Sequence, residues 1–360
     1  VKAIRIIVSG GGTGGHIFPA LAIASLLKEE VKGAAILFVG AKGKMEMEKV
    51  PKAGFRIKGL WISGFQRSLS FQNVIFPLKL LVSLIHSFYI IKQFKPNLVL
   101  GTGGFASGPV LQIAQWLKIP TVIQEQNSYP GITNKLLSKK VNSICVAYEG
   151  MERYFPADKI RITGNPIRSN VLKAVANDKA KEFFGLHPKK QTLAVIGGSL
   201  GSKRINELIA SKLDFISSFD LQLLWQCGEL YYNQYKEMER GGVFIRPFIF
   251  EMQQFYSAAD VIVSRAGAGS LSELSSVGKP LLLIPSPNVT ANHQYKNAVA
   301  LQNKGAALVI EEDKLEEDFE RVFKNLVTTV EIQQKMSKKL KDLAKPDAAQ
   351  SIVKELINLV

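Results

Sequence analysis

The chain has 360 residues, 46% of them hydrophobic and 21% charged, which is material for two ordinary domains or one large one and far from the composition of a disordered segment. Lys and Arg number 46 against 30 Asp and Glu, a net charge of +16, and such an excess favours anionic partners, whether nucleic acid, phosphorylated metabolites or acidic lipid. Cys145 and Cys227 stand apart in apolar runs, which argues against a disulfide framework or a cysteine zinc site and suits a reducing cytoplasm.

The chain enters a strand-like run at once, Val1-Lys2-Ala3-Ile4-Arg5, without the apolar core and cleavage site of a signal peptide, so a cytosolic location is expected. Short Val/Ile/Leu-rich runs then alternate with helical spacing, the pattern of βα units around a parallel sheet. The first half carries candidate strands at Ile4–Val8, Ala35–Val39, Leu98–Leu100, Thr121–Ile123 and Ser143–Val146. The second half carries them at Leu193–Ile196, Leu221–Trp225, Val243–Ile245, Val261–Val263, Leu281–Ile284 and Ala307–Ile310. Two Rossmann-like, doubly wound α/β halves are expected, facing a cleft. The breakers in Ile162-Thr163-Gly164-Asn165-Pro166-Ile167-Arg168 place the hinge near Gly164–Asn170. After Pro346, Asp347–Val360 reads as an amphipathic helix of the kind that packs back across a domain boundary. The most apolar stretch, Phe71–Ile91, is interrupted by Pro77, Lys79 and His86, so no membrane span is expected there.

The first strand ends in Ser9-Gly10-Gly11-Gly12-Thr13-Gly14-Gly15-His16, followed by a helix expected over Phe18–Glu29 with Pro19 near its start. Glycines let a backbone approach a ligand, and amides at a helix start attract anions. Gly10-x-Gly12-x-x-Gly15 satisfies the dinucleotide pattern, but the second strand ends Val39-Gly40-Ala41-Lys42, without the acid that would hold a nicotinamide cofactor's ribose. Three more loops follow strand ends: Gly101-Thr102-Gly103-Gly104, Gly197-Gly198-Ser199-Leu200-Gly201-Ser202 and Arg265-Ala266-Gly267-Ala268-Gly269-Ser270. Each alone reads equally well as a tight turn. Together they suit a ligand outside the carboxyl ends of two sheets.

Gly10 to His16, Glu125-Gln126-Asn127, Gly164-Asn165-Pro166-Ile167-Arg168, Gly197-Gly198-Ser199, Arg265 to Glu273 and Asn292-His293-Gln294 together closely resemble the MurG family of bacterial glycosyltransferases, family 28. The resemblance spans both halves in order. It implies a GT-B fold and inverting transfer of N-acetylglucosamine from UDP-N-acetylglucosamine to lipid I, undecaprenyl-diphospho-N-acetylmuramoyl-pentapeptide, giving lipid II for peptidoglycan synthesis. It also implies residues 1–164 as an acceptor- and membrane-binding domain, 165–345 as the UDP-sugar domain, and helix 346–360 packed back on the first.

By the same resemblance His16 and Glu125 are the candidate catalytic residues. His16 takes a proton from the acceptor hydroxyl, as a largely neutral imidazole can, or only shapes its loop; Glu125 helps position the acceptor. Thr13, Gly14, Gly15 and Asn127 are assigned to the donor, as are Arg168, Ser199 and Gln294. Ile249 would read the uracil edge through its backbone. Ala268, Gly269, Ser270, Leu271 and Ser272 would form the diphosphate turn, and Glu273 would accept the ribose hydroxyls. His293 reads as a nearby polar contact. Ala266, Ser270 and Gln124 stand where relatives commonly have Ser, Thr and His. No Asp-x-Asp pair is present, so neither a cofactor nor an obligatory metal is expected.

A lipid-linked acceptor implies docking at the cytoplasmic face of the inner membrane. Ile75, Leu78, Lys79 and Val82, with Trp116 and Lys140, make a candidate apolar patch with a basic rim, which Lys92, Lys95, Lys118 and Lys139 extend. The same stretch also reads as a core helix. No nucleic-acid motif is seen, and other proteins of wall synthesis and division are candidate partners. A UDP-N-acetylglucosamine 2-epimerase and a non-catalytic UDP-sugar-binding module are the alternatives.

Overall fold

A computed structural model describes residues 4–64, 71–168, 171–289 and 292–360. The chain divides into two compact units, Val1–Ile167 with Lys345–Val360, and Arg168–Ala344. Of the expected hinge, residues 169 and 170 lie outside the described residues.

In the first unit, β1 (Arg5–Gly10), β2 (Ala35–Ala41), β3 (Arg56–Leu60), β4 (Leu98–Gly103), β5 (Thr121–Glu125), β6 (Ser143–Val146) and β7 (Ile160–Ile162) form one parallel sheet in the order β3-β2-β1-β4-β5-β6-β7. Parallel strands covered on both faces need apolar side chains in both directions. Ile6 and Val8 of β1 accordingly pack into one core, and Ile7 into the other. The first core is shared with the chain's last helix, Ala348–Asn358, through Ile352, Val353 and Leu356.

The second unit repeats the plan. Strands β8 (Thr192–Ile196), β9 (Gln222–Gln226), β10 (Val243–Arg246), β11 (Val261–Ser264), β12 (Leu281–Leu283) and β13 (Leu308–Val309) are parallel, in the order β10-β9-β8-β11-β12-β13. Both orders reverse direction once, between β1 and β4 and between β8 and β11. Ligands of open α/β sheets bind outside the carboxyl ends at such switch points. The four glycine loops follow these four strands, two at each switch point.

Two expectations need correction. β3 and β7 escaped the sequence reading because they are edge strands, short and studded with Arg56, Lys58 and Arg161, as exposed edges usually are. The first helix runs Gly14–Glu30, so His16 lies inside its first turn, ahead of the expected start at Phe18. Pro19, which has no N–H to give, sits within that helix and leaves the Gly15 carbonyl without its usual helical donor.

Candidate functional site

In the first unit the switch point is built around His16. Its Nδ1 lies 3.0 Å from the Thr102 carbonyl and 3.1 Å from Gln126 Oε1. The Gln126 amide nitrogen donates to the carbonyls of Thr102 at 2.8 Å and Gln124 at 3.1 Å, which fixes its oxygen toward the ring. Both neighbours of Nδ1 are therefore acceptors, so Nδ1 carries the hydrogen and a neutral ring keeps its lone pair on Nε2. Thr102 grips the residue a second time, its hydroxyl donating to the His16 carbonyl at 2.9 Å. Glycines make this closeness possible. A Cβ on Gly10 would fall 2.0 Å from Thr102 Oγ1, and one on Gly103, already at φ +96°, would fall 2.9 Å from His16 Nδ1. Gln126 is itself placed by a buried amide chain, since Gln124 donates to Asn165 at 2.9 Å and Asn165 to the Gln126 carbonyl at 3.0 Å.

Glu125 is 1% exposed, and both its oxygens are occupied. Oε1 accepts from the Asn127 amide at 3.0 Å and the Asn127 side chain at 3.1 Å; Oε2 accepts from the Gly131 amide at 3.0 Å and Asn134 Nδ2 at 2.8 Å. Four donors suit a carboxylate that shapes the 127–134 loop, and leave it poorly placed to meet a substrate directly. Glu46, absent from the sequence reading, does the same for the first glycine loop. It is fully buried and accepts from Gly12 N at 3.1 Å and Ala41 N at 2.9 Å. Thr13, Gly14 and Gly15 are exposed or half-buried around the helix start, whose N-cap Thr13 makes no side-chain cap.

In the second unit the helix Ala268–Val277 starts after β11, and its N-cap Gly267 offers no side-chain acceptor to the first-turn amides. Space beside Gly269 is open. Uncapped amides at a helix start form an anion site. Leu271 is buried in the core, its amide bonded to the Gly267 carbonyl at 2.9 Å, so its side chain supports the turn from beneath. The Ser272 hydroxyl donates to the Ala268 carbonyl at 3.0 Å.

Arg168 and Glu273, both assigned to the donor, are brought together with each other. The guanidinium spans the carboxylate, Nε to Oε1 at 2.8 Å and Nη2 to Oε2 at 2.9 Å, and Tyr256 donates to Oε2 at 3.0 Å. Burial disfavours the charge on Arg168, but the bond to Glu273 and its charge win and raise the guanidinium above its ordinary value. Burial first, then the charge of Glu273, pushes the Tyr256 phenol well above its usual range, so it stays a donor.

Ile249 is buried, and its amide donates to Gln226 Oε1 at 2.9 Å. That amide can read a base edge only by exchange with Gln226, which also holds the Gly198 carbonyl at 3.0 Å. Ser199 is exposed in the loop after β8. Gln294 lines a polar pocket of about 450 Å³ with Gly197, Gly201, Lys203, Arg204, Arg265 and Ser286, and accepts from the Ser286 amide at 2.9 Å. Arg168 and Glu273 are not among its walls. Arg265 is held from three sides, by the Ile284 carbonyl at 3.0 Å, Ser202 Oγ at 2.6 Å and Glu312. Among the described residues no group of three or more His, Cys, Asp or Glu side chains is gathered as a metal site would need.

The helix Phe71–Phe94 has two apolar stripes. Ser83, Ser87, Ile90, Ile91 and Phe94 are buried, whereas Val74, Leu78, Leu81, Val82, Ile85, Phe88 and Tyr89 are exposed. One face of this stretch is therefore core, and the other exposes apolar side chains. Within the expected patch, Leu78, Val82, Trp116 and Lys140 are exposed; Ile75 and Lys79 are half-buried, and Lys79 bonds Ser63 Oγ at 3.1 Å. The exposed residues recur at helical spacing, a signal that could have found Leu81, Ile85, Phe88 and Tyr89. By length and composition alone, Val74–Phe94 could cross a membrane, but its inner stripe belongs to the first unit's core.

Comparison with known proteins agrees along the whole chain. The glycosyltransferase family 28 N-terminal domain matches residues 6–146, and the family's C-terminal domain matches residues 192–352. A Flavobacterium psychrophilum protein named UDP-N-acetylglucosamine--N-acetylmuramyl-(pentapeptide) pyrophosphoryl-undecaprenol N-acetylglucosamine transferase is 53% identical, over 100% of this chain and 99% of its own length. One of the same name from Christiangramia forsetii is 52% identical, over 100% and 98%. Among solved structures, Acinetobacter baumannii MurG superimposes with a TM-score of 0.80 at 28% identity, covering 99% of each chain.

Proposed function

The chain belongs to glycosyltransferase family 28, with its GT-B fold, and on that premise we propose how its residues carry the reaction. It transfers N-acetylglucosamine from UDP-N-acetylglucosamine to pyrophosphoryl-undecaprenol-linked N-acetylmuramoyl-pentapeptide, lipid I, forming lipid II for peptidoglycan. In an inverting transfer the acceptor oxygen attacks the anomeric carbon as the bond to UDP breaks, so one proton must leave the hydroxyl and negative charge must collect on the diphosphate. Nε2 of His16 takes the proton. The observation that carries this is the pair of acceptors on Nδ1, which leaves Nε2 as the basic nitrogen. The Ala268–Ser270 amides receive the diphosphate charge. Glu273 and Arg168 hold ribose and phosphate, Gln294 and Asn127 the sugar, and Glu125 keeps the 127–134 loop in shape. No metal is assigned a part, so a chelator should leave turnover intact; loss with EDTA and rescue by magnesium would contradict this.

Incubation with UDP-N-acetylglucosamine and a lipid I analogue tests the reaction. UDP and a product linked with inverted anomeric configuration are expected. Retained configuration, or conversion of the donor without acceptor as in an epimerase, would contradict it.

The exposed stripe of the Phe71–Phe94 helix, with Trp116 and Lys140, docks on the anionic cytoplasmic leaflet, where apolar contact and charge attraction add. The seven exposed apolar side chains support this reading. Leu78→Glu with Leu81→Glu should cut vesicle binding and activity on a long-chain acceptor but spare a short soluble one. Parallel loss of both activities and of melting temperature would make the stripe core instead.

A further inference from the structure

Glu273 is the carboxylate assigned to the donor ribose, yet its oxygens already have protein partners. Arg168 spans both, and Tyr256 donates to one. An ionised carboxylate offers about four lone-pair positions. Arg168 and Tyr256 take three of these, leaving one where the two ribose hydroxyls need two. Ribose recognition and the Arg168 fork therefore compete for the same atoms.

We propose that Arg168 is a specificity-determining latch: when ribose takes Glu273, the guanidinium moves from the carboxylate to the donor diphosphate, so the nucleoside half binds well only when phosphate is there to receive Arg168. This rests on the donor reading given above and deepens it.

The geometry suits an exchange. The Arg168 side chain is 47% exposed against 11% for Glu273, so Arg168 is the less enclosed member of the pair and the one with room to move, while the carboxylate stays fixed in its helix. Arg168 begins the second unit, outside any helix or strand. A planar fork fits carboxylate and phosphate alike, so the bond pattern broken on one is remade on the other. Tyr256 is buried and remains on Glu273, so the carboxylate is never left bare. Arg265 is the contrast: pinned by Ile284, Ser202 and Glu312, it has nowhere to go.

A latch makes phosphate and nucleoside help one another, and that coupling is measurable. Calorimetry of the full chain with uridine, UDP and inorganic pyrophosphate tests it. In the wild type, pyrophosphate should tighten uridine binding by about fivefold or more, the usual range of a coupling energy. Arg168→Ala should bind UDP more weakly but uridine more tightly than wild type, with the coupling gone. Arg168→Lys, which keeps the charge without the fork, should fall between. Weaker UDP binding with unchanged or weaker uridine binding in Arg168→Ala would make Arg168 a plain phosphate ligand and overturn the latch, leaving the donor reading intact. If Arg168→Ala fails to fold, absence of uridine–pyrophosphate coupling in the wild type overturns it without any variant. A wild-type chain that binds no UDP overturns the donor reading itself.

Discussion

Glu46 and Glu125 in the first unit and Glu273 in the second are all buried carboxylates near a glycine-rich loop, and they differ in what holds them. The first two accept from backbone amides of the loops they shape, Gly12 and Ala41 for one, Asn127 and Gly131 for the other. Such partners cannot leave without the loop. Glu125 adds two side chains to these amides, but Glu273 accepts from side chains alone, one of them half-exposed. The contrast teaches that burial alone does not mark a carboxylate as structural or functional: the mobility of its partner does. Two sheets of one topology thus serve two tasks, one holding an imbedded imidazole in a single tautomer, the other offering a helix start and an exchangeable ion pair.

The sharpest break of this comparison is His16→Ala, which should lower kcat by about 10²–10⁴-fold if the imidazole is the base. A steady-state loss confined to KM would reduce it to positioning. Glu273→Gln comes next. A charge-assisted hydrogen bond is worth about 1.5–3 kcal/mol, so donor KM should rise about tenfold to a hundredfold with little change in melting. Glu125→Ala and Glu46→Ala should behave oppositely, because each orphans buried amides at about 1–3 kcal/mol. Their melting temperatures should drop, whereas affinity for UDP alone, whose uracil, ribose and diphosphate are assigned to second-unit residues, stays near wild type. Normal melting with lost kcat in Glu125→Ala would instead put that carboxylate in the chemistry.

The smallest expected effect is at His86, on the Phe71–Phe94 helix. Burial first, then Lys42 and Lys58, lowers its folded pKa, so below about pH 6.5 the unfolded chain binds the proton more readily and stability is lost as pH falls. His86→Gln should flatten that loss between pH 7 and 5 in thermal melts. An unaltered slope would remove His86 as its source.

Much of the fold was legible because parallel strands buried on both faces leave long apolar runs, as in Leu98–Leu100 and Leu193–Ile196. Edge strands such as Ile160–Ile162 lack that run, and polar residues within strands or just past their ends carry no period at all. The contacts of Thr102, Gln126 and Gln226 with His16 and Ile249 are therefore visible only once folding brings them together. Glu46, in Met45-Glu46-Met47-Glu48, reads as a surface helix residue and proves fully buried. His16, Arg168 and Glu273 were found as candidates from motif resemblance. Nothing in the sequence showed that the last two bind each other, since 105 positions separate them.

The base assignment rests on which nitrogen of His16 carries hydrogen, and that can be observed directly. The chain has four histidines, so nitrogen-15 NMR of histidine-labelled protein, with His16→Asn to assign the signal, resolves the tautomer at a pH where the ring is neutral. Hydrogen on Nδ1 and a bare Nε2 are expected. Hydrogen on Nε2 would contradict the assignment, because that nitrogen would then have no lone pair to take the acceptor's proton.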